Sequence, residues 1–224
     1  MAYHGQGGYG GYGQAPPQQS YGYGEYRGHQ QQGYGQAQPQ GYPGQQGIVS
    51  GAPPGADPTL WSWFTTVDRD RSGQISTEEL RQALMNNNWS HFNLETCRLM
   101  IGLFDQDQNG TINFNEFVGL WNYIQQWKGV FDRYDGDRSG SIESNELHRA
   151  FSDMGYRVSS NFVQLIVVKF DTYAKRSLKL DDFIQCCVML RCLTDAFRQR
   201  DSNMNGVINV SYEDFMCMCI QNKP

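Results

Sequence analysis

The sequence predicts an all-α domain of five helix–loop–helix units, with short β-bridges between paired loops, behind a disordered tail rich in Gly, Tyr, Gln and Pro. Three observations predict it. A twelve-residue acidic loop at positions 68–79 recurs in register at 105–116 and 135–146, apolar residues between the loops step by three or four, and the composition changes abruptly near residue 57.

The tail comes first. Within residues 1–57 of the 224, Glu25, Arg27 and Asp57 are the only charged side chains. Such a stretch has too little aliphatic surface to offset its backbone entropy and is expected to be disordered. Residues 58–224 are long enough to bury a substantial core as one helical domain. No charged and apolar leader opens the chain, no run of about 18 apolar residues occurs, and Ala2 stands where myristoylation needs Gly. These features point to a soluble cytoplasmic protein.

The first loop fixes the chemistry. A hard cation such as Ca²⁺ takes six to eight oxygen ligands at about 2.3–2.6 Å, and a short loop supplies them with side chains at positions one, three and five. A backbone carbonyl at seven, often a water held at nine, and both oxygens of a carboxylate at twelve complete the set. Here those positions are Asp68, Asp70, Ser72, the carbonyl of Gln74, Ser76 and Glu79. The second loop offers Asp105, Asp107, Asn109, the carbonyl of Thr111 and Glu116, and the third offers Asp135, Asp137, Ser139, the carbonyl of Ser141 and Glu146. Position six must turn with positive φ, and Gly73, Gly110 and Gly140 stand there. Position eight is Ile75, Ile112 and Ile142, apolar residues suited to pairing neighbouring loops. Chance Asp/Gly turns do not repeat in register three times. Affinities in the sensor range, about 10⁻⁷–10⁻⁵ M, are expected. Glu143 at position nine of the third loop would add a fourth carboxylate and make that loop the tightest.

Between the second and third loops, Phe117, Leu120, Trp121, Ile124, Trp127, Phe131 and Tyr134 form one helical stripe without a proline. A single helix should therefore leave one loop and enter the next. Weaker loop copies begin at Asp171 and Asp201, so the successive intervals are 37, 30, 36 and 30 residues. In the fourth copy Tyr173 and Lys175 replace ligands, Arg176 takes the glycine position, Lys179 takes position nine, and the shorter Asp182 closes the loop. Three cationic side chains repel a divalent ion, so this loop should be empty. The fifth keeps Asp201, Asn203, Asn205 and Gly206 but has Tyr212 at position twelve, with Glu213 one place late, and should be empty too.

Leu178 and Ile208 hold position eight in these last copies. Ile75 can bridge to Ile112 and Ile142 to Leu178, which leaves Ile208 alone. An odd strand edge beside an apolar helix bearing Phe215, Met216, Met218 and Ile220 favours pairing with a second chain.

The six cysteines, Cys97, Cys186, Cys187, Cys192, Cys217 and Cys219, lack zinc or redox spacing, and the four histidines are scattered away from them. Buried reduced thiols are the expectation. No nucleophile elbow, phosphate-binding glycine loop or zinc-hydrolase helix occurs, so the chain does not read as an enzyme. Nucleic acid is not an expected partner, because Arg27 is the tail's only Arg or Lys.

Five such units behind a Gly/Tyr/Pro/Gln-rich tail resemble the penta-EF-hand family. The likeness is carried also by Asn88-Trp89-Ser90, Phe92-Asn93, Gln125-Gln126-Trp127-Lys128, residues 135–142 and Phe183-Ile184-Gln185-Cys186, and it covers roughly residues 58–224. The resemblance implies Ca²⁺ as cofactor and dimerisation through the fifth hand, either as a homodimer or as a heterodimer with a related penta-EF-hand protein. It further implies Ca²⁺-dependent binding of Pro-rich or hydrophobic segments, with Trp121, Tyr123 and Tyr212 at positions similar to those lining partner pockets. Peripheral association with endoplasmic reticulum membranes and COPII vesicle traffic follows from the same resemblance. The competing reading by resemblance is a regulatory subunit of a calpain-like protease, which should co-purify with a large catalytic chain.

Overall fold

In the first three units the loop runs directly into a helix because its last residues also cap that helix. In the first loop the Ser76 side chain accepts the Glu79 N–H while Glu79 accepts the Ser76 N–H, and Asn113 and Glu116 form the same reciprocal box in the second. Loop positions nine and twelve are thus the N-cap and third residue of the next helix.

The structure is a computed structural model that describes residues 51–171 and 176–221. Most of the expected tail, and Tyr173 and Lys175 of the fourth loop, lie outside the described residues. The elements run α1 (Pro58–Val67), α2 (Thr77–Ala83), α3 (Leu94–Phe104), α4 (Phe114–Tyr134), β1 (Ile142–Glu143), α5 (Ser144–Asp153), α6 (Ser160–Phe170), β2 (Ser177–Leu178), α7 (Leu180–Arg198) and α8 (Tyr212–Gln221). Asp57 caps α1 by accepting the N–H groups of Thr59 and Leu60 at 2.7 and 3.1 Å.

The expected bridges are present. Ile75 pairs with Ile112 across the first two loops, and Ile142 pairs with Leu178 in the antiparallel β1–β2 ladder. All four side chains are fully buried. The stripe between the second and third loops is one 21-residue helix, α4, whose Phe117, Leu120, Ile124 and Phe131 are buried. A second long helix, α7, joins the fourth loop to the fifth. The two meet where Phe183 of α7 packs edge-on to Trp127 and Phe131 of α4, with ring centroids 5.8 Å apart in each case. The two loop pairs therefore share one continuous core.

Two features depart from that core. From Tyr212 to Ile220, every residue of α8 is exposed except half-buried Met218. Cys97, Cys186 and Cys187 are buried as expected, but Cys217 and Cys219 are exposed, because α8 does not pack into the core that covers the others. The expectation of buried thiols is corrected for this pair.

Candidate metal centres

The first three loops wrap their opening aspartates identically. Oδ1 of Asp68, Asp105 and Asp135 accepts the N–H of position five at 3.0, 3.1 and 2.9 Å, and Oδ2 accepts that of the position-six glycine at 2.9, 2.8 and 3.0 Å. Those glycines have φ of +79°, +81° and +80°, as the tight turn requires. The closing glutamates are fixed at both oxygens. Oε1 of Glu79, Glu116 and Glu146 accepts the N–H of Arg69, Gln106 and Gly136 at 3.0, 2.8 and 2.8 Å. Oε2 accepts the N–H of Ser76, Asn113 and Glu143 at 2.9, 2.9 and 3.0 Å.

Three carboxylate clusters result. Oxygens of Asp68, Asp70 and Glu79, of Asp105, Asp107 and Glu116, and of Asp135, Asp137 and Glu146 lie within 4.8 Å of one another. Opposite ligands of one Ca²⁺ are separated by about 5 Å, twice the ion–oxygen distance, so each cluster fits inside a single coordination sphere. Like charges this close repel unless a cation sits among them. The donor set is all oxygen and fits a hard divalent ion.

Hydrogen bonds favour the ionised form of four of these carboxyls. Those from Ser72 hold Asp70 below the usual carboxylate range, and those from Ser139 do the same for Asp137. Burial pushes Glu79 and Asp105 upward, but bonds from Ser76 and Arg69 in the first case, and from Gly110 and Asn109 in the second, win and lower both. The anionic form is the one that ligates a cation.

Position nine behaves differently from the expectation for the third loop. Glu143 is exposed and stands outside the cluster of Asp135, Asp137 and Glu146. As the N-cap of α5 it sits where such loops reach the ion through a water, so a fourth direct carboxylate is not supplied. Sequence reading also missed position four, where Arg71, Gln108 and Arg138 adopt left-handed φ of 59°, 57° and 57°. Their residue types carry no signal for that conformation.

Loop 4 is turned to other use. Arg176 takes the glycine's place with φ of 60°. Lys179 is buried and its Nζ donates to Ser90 Oγ at 2.9 Å, in the segment joining α2 to α3. Asp181 and Asp182 are fully buried. Asp181 Oδ2 accepts the N–H of Asn93 at 2.6 Å, and Asp182 Oδ1 accepts Asn93 Nδ2 at 3.1 Å. Thus the carboxylate that would close a coordination sphere is engaged by the start of α3. Loop 3 touches the same segment, since a Cβ on Gly140 would lie 3.2 Å from that of Asn87.

Loop 5 keeps its opening but not its close. Asp201 accepts the N–H of Asn205 and Gly206 at 3.1 and 2.9 Å, as in the first three loops. Its helix, however, begins at Tyr212, position twelve, whereas α2, α4, α5 and α7 begin at position ten. The cap is Ser211, which accepts the Asp214 N–H at 3.1 Å and donates to Asp214 Oδ2 at 2.7 Å. This later start carries the acidic side chain past the loop.

The residues assigned to assembly and partners divide into three places. Ile208 is half-buried, with no bridge among the described residues, and Phe215, Met216 and Ile220 are exposed on α8 beside Tyr212. Trp121 lines an apolar groove of about 250 Å³ between α1, α2 and α4, where its ring lies 4.6 Å from that of Trp63. Tyr123, two residues on and so on another helix face, packs against Phe104 and Trp127, and burial pushes its phenol up to about 12. Of the three aromatic residues, Trp121 alone lines that groove. No described helix is long and apolar enough to cross a membrane.

Comparison with known proteins agrees with this geometry. Models of an EF-hand domain pair match residues 71–123 and 124–187. Peflin of Xenopus laevis is 48% identical over 81% of this chain and 65% of its own length, and peflin of Homo sapiens is 51% identical over 75% and 60%. The chain thus spans 60–65% of the length of these two peflins. Sorcin of Mus musculus is 43% identical over 78% of this chain and 90% of its own. A solved structure described as a homolog of programmed cell death 6 protein from Leishmania major Friedlin is 29% identical, with a TM-score of 0.66, covering 73% of this chain and 94% of that one.

Proposed function

Because the chain belongs to the penta-EF-hand family, we propose that it is a Ca²⁺ sensor and adaptor that loads its first three loops, pairs through its fifth hand, and captures partners when loaded. The ligands of this reading are the side chains of positions one, three, five and twelve in loops 1–3 and the carbonyls of Gln74, Thr111 and Ser141. Loops 4 and 5 take no ion. The role is non-catalytic.

The observation that carries the pairing is α8. A helix left with Phe215 and Ile220 at 52% and 69% exposure, following a loop whose Ile208 has no bridge among the described residues, is a surface suited to burial by a second chain. That chain is a copy or a penta-EF-hand relative. Pro-rich or hydrophobic partner segments suit the groove beside Trp121 and Trp63. Charge supports a Ca²⁺-driven change of surface: residues 58–224 hold 21 acidic and 17 basic side chains, a net of −4, and three divalent ions would bring this to about +2. The reading extends to endoplasmic reticulum and coated-vesicle membranes as the place of action.

Sedimentation equilibrium tests the assembly. A dimer is expected, alone or mixed with a second penta-EF-hand chain, and Phe215→Asp with Ile220→Asp should dissociate it. A chain that stays monomeric in both settings overturns the pairing. Affinity capture with Ca²⁺ and with chelator tests the adaptor role, and identical partner sets in the two conditions would contradict it.

A further inference from the structure

Loops 1 and 2 are joined by more than their backbone. Ile75 and Ile112 exchange N–H···O bonds of 2.8 and 2.9 Å, an antiparallel bridge across which Gln74 and Thr111 are diagonal neighbours within reach of a long side chain. Thr111 Oγ1 lies 3.0 Å from Gln74 Oε1 across the pair, and it also contacts Asn109 Oδ1 within its own loop. A hydroxyl carries one proton and donates to only one of these acceptors at a time. Asn109 Oδ1 already accepts the Thr111 N–H at 2.8 Å, and it is the position-five ligand of loop 2. A carbonyl oxygen has two lone pairs. Once ligation engages the second, the hydroxyl proton is left to Gln74. That residue in turn supplies the position-seven carbonyl of loop 1, which Ser72 Oγ holds at 2.9 Å.

We propose that Thr111 and Gln74 form a side-chain switch that couples the first two loops, so that filling loop 2 fixes Gln74 and raises the Ca²⁺ affinity of loop 1. The proposal rests on the reading of both loops as Ca²⁺ sites. Coupling is reciprocal, so loop 1 raises the affinity of loop 2 by the same factor. At the matching position of loop 3, Ser141 Oγ instead meets Ser139 Oγ of its own loop at 3.3 Å.

The test is a calorimetric Ca²⁺ titration of the full chain. Loop-1 affinity is read with loop 2 intact and with loop 2 disabled by Glu116→Ala, in chains carrying Thr111, Thr111→Val or Thr111→Ser. Disabling loop 2 should weaken loop 1 about fivefold more in the Thr111 chain than in the Thr111→Val chain, the equivalent of one hydrogen bond, and Thr111→Ser should restore the difference. Gln74→Leu, which keeps the carbonyl and removes the acceptor, should reproduce the loss by an independent route. In a Glu79→Ala chain, where only loop 2 of the pair can fill, the side-chain NH₂ resonances of Gln74 should shift on titration, and Thr111→Val should abolish that shift. The same factor in every chain, or Gln74 resonances indifferent to loop 2, overturns the switch. If Glu116→Ala removes no ion, the loop-2 site itself is wrong and the switch falls with it.

Discussion

In the first loop pair, Ile75 and Ile112 bridge two loops that each close on three carboxylates. In the second, Ile142 pairs with Leu178 and both side chains are again buried, yet among the described residues a three-carboxylate cluster forms in loop 3 and not in loop 4, which sends Lys179, Asp181 and Asp182 into the segment joining α2 to α3. The difference separates two roles that other loops of this kind combine. Bridging serves the core and persists where the carboxylate cluster does not, whereas on the proposed reading ion binding depends on what the closing carboxylate faces. Loop 5 adds a third case, in which the opening aspartate is still wrapped but the helix starts two positions late.

The largest effects should come from the shared feature. Leu178→Ala and Ile112→Ala each remove a fully buried aliphatic side chain from the core, and each should destabilise by about 2–5 kcal/mol in chemical denaturation. A cost at Leu178 far below that at Ile112 would mean that the second bridge is ornamental. Next comes the feature that differs. Glu146→Ala should lower Ca²⁺ affinity at loop 3 on the order of a hundredfold, through loss of two of the six to eight oxygens. Asp182→Ala should leave the number of ions bound unchanged, and loss of a calorimetric binding event in that variant would break the contrast.

A smaller effect sharpens the account of loop 4. Asp181→Ala leaves the Asn93 N–H without its acceptor at the start of α3 and should cost about 1–3 kcal/mol of stability, again with ion stoichiometry intact. The smallest is a matter of pH. Asp70 and Asp137 are held below the ordinary 3.8 by Ser72 and Ser139, so their contribution to the folded loops is present above that value and lost as pH falls through the lower folded one. In the ion-free chain, carboxyl resonances of both should titrate below 3.8, and midpoints at or above it would contradict the hydrogen-bond argument.

Much of this was legible in the sequence because it is local. Ligand spacing, the position-six glycines, the bridge residues and the continuous stripe of α4 all lie within a dozen or two residues of each other. The engagement of loop 4 was hidden because Asp181 and Asn93 are 88 residues apart, and nothing in either neighbourhood marks the contact. The fate of α8 was half legible. Its apolar residues were visible, but the exposure of Cys217 and Cys219 depends on the helix staying off the core. Its late start did carry a signal, the Ser211 and Asp214 cap three residues apart, which competed with the repeat for attention. Glu143 shows the opposite failure, where residue type suggested a ligand that position nine does not place among the clustered oxygens.

The central claim is that ion binding follows the carboxylate that closes each loop, and counting ions tests it most directly. Native mass spectrometry of the full chain, at Ca²⁺ that fills the intact loops but stays well below the dissociation constant of a loop that has lost its closing glutamate, should find three ions per chain, falling to two in each of Glu79→Ala, Glu116→Ala and Glu146→Ala. Four ions in the unaltered chain, or three retained after any one of those substitutions, would contradict it.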